Sequence, residues 1–98
     1  MRVTVPRVVN TMLSSGRLAT LRTYPYKKGK RVIIKYPQGL QEKRVKAVVE
    51  EVIPNPTPEV LEQYLELSGF DTPKEWWLTA CALHKTSPRY LVVLRLLG

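Results

Sequence analysis

Apolar and polar residues alternate with a period of two over Arg2–Val5, Leu18–Thr23, Lys30–Tyr36, Lys43–Ile53 and Arg89–Leu97, which predicts five strands. In the fourth, Val45, Ala47 and Val49 face in and Arg44 and Lys46 face out. Glu50-Glu51 breaks that alternation, so a bulge or bend is expected there. The last strand is apolar on both parities, with Tyr90, Val92, Leu94 and Leu96 against Leu91, Val93 and Leu97, which places it centrally in a sheet.

Helical spacing appears in three places. Val8, Val9, Met12 and Leu13 share a face after Pro6, whose missing N–H costs nothing in a first turn, and Gly16 supplies the stop. Over Pro58–Ser68 the stripe is Val60, Leu61, Tyr64 and Leu65, with Thr57 as N-cap and Gly69 as terminator. Thr72-Pro73-Lys74-Glu75 reads as a capping box opening a helix through Trp76, Trp77, Ala80 and Cys81. The order β-α-β-β-β-α-α-β describes an α+β domain. About five strands and two to three helices in so short a chain predict a small, strongly bent sheet or barrel plugged by helices.

At 98 residues and 44% hydrophobic, residues 1–98 make one domain with a modest core. No apolar run approaches the roughly 20 residues of a membrane span. The N-terminus has no signal-peptide core, and one cysteine makes no internal disulfide. No cluster has metal-ligand spacing. The expectation is a cytoplasmic protein without metal or cofactor and without a membrane partner.

Charge changes the picture most. Sixteen Lys and Arg against eight Asp and Glu give +8. Residues 1–49 hold 12 cations and one acid, whereas residues 50–98 hold four cations and seven acids. Such asymmetry fits one face meeting a polyanion, because each neutralised phosphate releases condensed counterions. Arg17 and Arg22 flank Thr20. Lys27, Lys28, Lys30 and Arg31 surround Gly29 in a loop, with Tyr24 and Tyr26 offered for base stacking. Arg44 and Lys46 share one strand face. The bland alternatives are solvated charge, and for the arginines a structural ion pair such as one with Glu75. Trp76 and Trp77, about 100° apart on a helix, cannot both face one site, so one is core. His84 is expected to bond the last carbonyls of its own helix, and Cys81 to pack.

Ser15-Gly16-Arg17, Thr20-Leu21-Arg22, Tyr26-Lys27-Lys28-Gly29-Lys30-Arg31-Val32 and Gly69-Phe70-Asp71 through Glu75-Trp76 occur in that order. Together they resemble the ASCH domain, a PUA-like β-barrel family, from about Val8 to Leu97. The resemblance implies nucleic-acid recognition in a basic cleft between helix and barrel, with RNA favoured over single-stranded DNA. It also implies a rival: some members are amidohydrolases acting on N4-acetylcytidine, through a Lys, Thr and Glu set, and one is a ribonuclease. Here the Thr position is Thr20, the Lys position is Arg17, and the Glu position falls near Ser68. Arginine does not exchange a proton near neutral pH, so the enzyme reading is disfavoured, and Thr20 and Arg17 are its only candidates. The expected interface is Arg17, Thr20, Arg22, Tyr24, Tyr26, Lys27, Lys28, Lys30, Arg31, Arg44 and Lys46. A homodimer, with acidic Pro58–Ser68 on the basic face of a second copy, is an open alternative.

Overall fold

The computed structural model describes residues 1–97. Helix α1 (Pro6–Ser15) leads into strand β1 (Arg17–Arg22); β2 (Arg31–Gln38) and β3 (Gln41–Pro54) form a hairpin. Helix α2 (Pro58–Gln63), a 3-10 turn (Leu65–Leu67), helix α3 (Pro73–His84) and strand β4 (Tyr90–Leu96) follow. The strands make one antiparallel sheet in the order β1-β4-β3-β2, curled into a half-barrel. The class is α+β. Among the described residues no helix is long and apolar enough to cross a membrane.

Local chemistry explains the helix ends. Pro6 stands at the start of α1, and Gly16, at φ 74°, donates its N–H to the Met12 carbonyl and stops it. Thr57 Oγ1 accepts from the Val60 N–H, and Thr72 Oγ1 accepts from the Glu75 N–H. The second half of the expected capping box is not made, because the Glu75 carboxylate is taken by Arg7 from α1. Pro58–Ser68 is not one helix. The Tyr64 N–H is shared between the Val60 and Leu61 carbonyls, which tightens the last turn into 3-10 geometry.

The sheet is covered on both faces over half its width. On the concave face Val8, Val9 and Met12 of α1 pack against Leu18, Ile34, Ala47, Val49, Val92 and Leu94. On the convex face Leu61, Trp76 and Ala80 from α2 and α3 pack against Ala19, Leu21, Leu91 and Val93. Central β4 is therefore buried on both sides, as its two apolar parities require. The Val49-to-Glu51 register shift falls at the expected bulge.

The expected first strand shrinks to one parallel bridge, Arg2 to Lys35, so the described residues form four strands and not five. Helix α1 begins at Pro6, so the chain turns away from β2 after Val3. The segment still caps the free edge of β2. The Val3 N–H donates to the Lys35 carbonyl and the Lys35 N–H to the Met1 carbonyl, each at 2.8 Å. From the far edge of the sheet, Arg22 Nη2 donates to the Arg2 carbonyl at 3.0 Å. That bond stitches the β1 end of the half-barrel to the segment lining its β2 end.

Candidate functional site

Beside this seam lies a cavity of about 190 Å³. Its walls include Thr4, Thr20, Arg22, Phe70, Trp76 and His84, brought from the N-terminal segment, β1, the turn before α3, and α3 itself. The lining is mostly apolar, its polar groups are hydroxyls, guanidinium and imidazole, and among the described residues no Asp or Glu lines it. A few convergent polar groups in an apolar hollow are what an oriented small ligand group requires.

Arg22 is the central group. It is half-buried, its Nε donates to Thr20 Oγ1 at 3.1 Å, and Nη2 holds the Arg2 carbonyl. Among the described residues no carboxylate pairs with it. Burial draws its pKa below the ordinary arginine value, and the Tyr26 hydroxyl acts in the opposite sense. It stays protonated throughout the working pH range. The guanidinium has five N–H donors, of which two are engaged within the protein. The rest, with an uncompensated charge, are available to an anionic or carbonyl-bearing ligand.

The neighbouring walls are fixed by bonds that local sequence does not announce. His84 Nε2 donates to the Leu21 carbonyl of β1 at 3.1 Å rather than to its own helix. That fixes the proton on Nε2 when the ring is neutral and leaves Nδ1 without a partner among the described residues. Lys85, at φ 57°, caps the helix instead. The Arg7 guanidinium lies 4.6 Å from the Phe70 ring centroid and is itself held by Asp71 and Glu75. Ser68 is fully buried; its hydroxyl donates to the Leu65 carbonyl at 2.6 Å and accepts from the Phe70 N–H. It builds the turn that presents Phe70.

The eleven expected interface residues divide into three groups. Thr20 and Arg22 line the cavity, and the loop leaving Arg22 carries Tyr24 and Tyr26 in a T-shaped pair, centroids 5.4 Å apart. Tyr24 is 66% exposed, whereas Tyr26 packs against the main core. Lys27, Lys28 and Lys30 sit on a tight turn in which Gly29 adopts φ 85°, and Lys28 pairs with Glu51. Arg31, Arg44 and Lys46 lie on the convex face of the sheet.

Arg17 does not join the cavity. It stands three residues from Thr20, hence on the opposite face of the strand, and its Nε bonds Glu50 at 3.1 Å. Trp76 is the core tryptophan and lines the cavity from below, while Trp77 is half-exposed. Trp77 instead borders a larger open groove of about 520 Å³ with Pro56, Pro58 and Pro73, where Lys74 is the only charge. Size favours that groove, but it has no converging polar groups, so the smaller cavity is the better candidate.

Sequence reasoning missed Thr4, Phe70 and His84 as cavity walls. Only the Gly-Phe pair, a turn residue before an aromatic, gave any signal of them. No protein-family model matches the chain, and no curated protein matches it.

Proposed function

We propose that this protein is a nucleic-acid recognition module, with RNA favoured over single-stranded DNA, that takes one unpaired nucleotide into the cavity at Thr20, Arg22 and His84. The observation carrying this reading is the half-buried Arg22 guanidinium, which among the described residues has no carboxylate partner and lines a cavity without an acid. A base edge or phosphate would use its free donors. The hydroxyls of Thr4 and Thr20 suit a ribose, and Tyr24 stands exposed on the loop that follows Arg22 to stack on a neighbouring base. The overall charge of +8 draws the polyanion in. The motif order and the seam, with Met1–Val3 counted as an abbreviated fifth strand, are the grounds for reading the fold as PUA-like and similar to the ASCH family.

The hydrolase alternative gains no support from this arrangement. Arg17 is turned away from Thr20, the Ser68 hydroxyl is committed to its turn, and Thr20 faces a cation rather than a base.

The test is binding of labelled single-stranded RNA, duplex RNA and single-stranded DNA across a salt series, with product length checked on a denaturing gel. Salt-sensitive binding of intact single-stranded RNA, weakened by Thr20→Val and by His84→Ala, is expected. Unchanged affinity in both variants removes the cavity from the reading. Shortened product replaces it with a nuclease, and no binding at low salt ends the nucleic-acid proposal.

A further inference from the structure

The uncovered part of the convex sheet face carries a second cationic surface, distinct from the cavity. Strand register assigns its members. Arg17 pairs with Arg95, Arg95 with Val48, and Val48 with Arg31, so one row crosses all four strands. The next rows along the hairpin are Ile33 with Lys46 and Lys35 with Arg44. Directly opposed residues share a face, and the alternate parity (Ile34, Tyr36, Ala47, Val49) is buried beneath α1. Six cations therefore stand on this outer surface. Arg17 has Glu50, while Arg31, Lys35, Arg44, Lys46 and Arg95 have no ion-pair partner among the described residues. Lys35 and Arg95 were not expected as interface residues.

Two features give this surface a ligand. First, Lys35 faces Arg44 and Arg17 faces Arg95 as cross-strand neighbours of like charge, which destabilises the free sheet. Glu50 pairs with Arg17 of the second couple, and Glu42, one row beyond Lys35 and Arg44 on the same face, is taken up by Arg2. A polyanion relieves that repulsion. Second, β4 pairs with β3 only from Ala47 onward and the N-terminal segment flanks β2 only as far as Lys35, so residues 36–43 extend past both as a two-stranded ribbon turning at Gly39-Leu40, with Lys35 and Arg44 at its base. A two-stranded ribbon is an element that the major groove of a duplex admits, about 12 Å wide. From β1 to β2 is three strand spacings, or about 14 Å, comparable to the separation of phosphate rows across that groove. A single strand is a line of charge and matches a line of cations; this is a two-dimensional array. No aromatic side chain lies among these residues to stack on an unpaired base.

We infer that the convex face is a duplex-binding surface, with the β2–β3 ribbon directed into the major groove and Arg31 and Arg95 on flanking phosphates. The inference rests on the nucleic-acid reading for its ligand class and not on the cavity for its geometry.

The test is binding of a DNA duplex of about 20 base pairs to the whole chain across a salt series. Five phosphate contacts predict a log–log salt slope of about −4 to −5. The double variant Arg44→Glu/Lys46→Glu alters two exposed positions and, because Arg44→Glu sets a carboxylate opposite Lys35, is expected to melt no lower than the wild type. It should lose more than tenfold in duplex affinity at about 100 mM salt and flatten the slope by about two. Single-stranded RNA binding through the cavity should persist in this variant, and Thr20→Val should show the reverse, so the two readings fail separately. Wild-type duplex affinity and slope in the double variant overturn the inference. So does loss only of binding to phosphatidylserine-containing vesicles, which assigns the face to a lipid surface. Loss only of a dimer seen by sedimentation assigns it to a second copy.

Discussion

Replacing Gly69 by alanine tests whether the turn that presents Phe70 to the cavity is dictated by backbone contact. Gly69 has φ 83°, a region L-residues enter at a cost of about 1–2 kcal/mol. An added Cβ would lie 2.8 Å from Val8 Cα, 3.0 Å from the Arg7 carbonyl oxygen and 3.1 Å from the Val8 nitrogen. All three are backbone atoms of α1, so no rotamer change relieves the clash, and overpacking of this kind costs about 1–3 kcal/mol. Against this, alanine restricts the unfolded chain and returns about 0.4–1 kcal/mol. The net expectation is a loss of about 2–4 kcal/mol. Gly29 is the internal control. It has a similar φ of 85°, but an added Cβ there would meet nothing within 4 Å. Gly29→Ala therefore carries the conformational cost alone, about 1 kcal/mol. Urea denaturation of both variants, with linear extrapolation and matching m-values, reads the difference directly. Thermal melts should separate the two by about 4–8 °C per kcal/mol for a domain of this size. Equal losses within about 0.5 kcal/mol would refute the claim that contact with α1 requires glycine at position 69.

Three further outcomes follow from the same geometry. Arg22→Lys keeps the charge but not the fork that reaches Thr20, Arg2 and a ligand together, so single-stranded RNA affinity should fall at least about tenfold by fluorescence anisotropy. Arg17→Ala removes only an ion pair with both partners partly exposed, and should change stability by less than about 1 kcal/mol and leave ligand affinity in the cavity unaltered. Trp76→Ala empties a site that is 2% exposed beneath the cavity and should cost about 3–5 kcal/mol in chemical denaturation.

The candidate site was half legible in the sequence. Thr20 and Arg22 share a strand face by simple alternation, and the structure sets both on the cavity. The same alternation already puts Arg17 on the other face, so grouping it with Thr20 went against the strand period. His84 lies 63 residues from the carbonyl it holds, and Thr4 and Phe70 reach the cavity from separate segments. No local pattern encodes those meetings. The basic convex face was partly visible as Arg31, Arg44 and Lys46, but Lys35 and Arg95 join it only through the register of three strands.

By itself the sequence determined what depends on a few neighbouring residues: the Thr57 and Thr72 caps, the proline helix starts, the Gly16 stop, the bulge at Glu50-Glu51, and a β4 apolar on both faces. These follow from backbone dihedrals and side-chain periodicity, which act over a turn or two of chain. Tertiary structure alone decided the rest. It reduced the Arg2–Val5 strand to one bridge, directed Glu75 to Arg7 instead of its own cap, and closed the seam with Arg22. Each of these is a choice among partners that compete for one donor or acceptor. Such competition is settled by which elements pack together, and that depends on the whole chain at once.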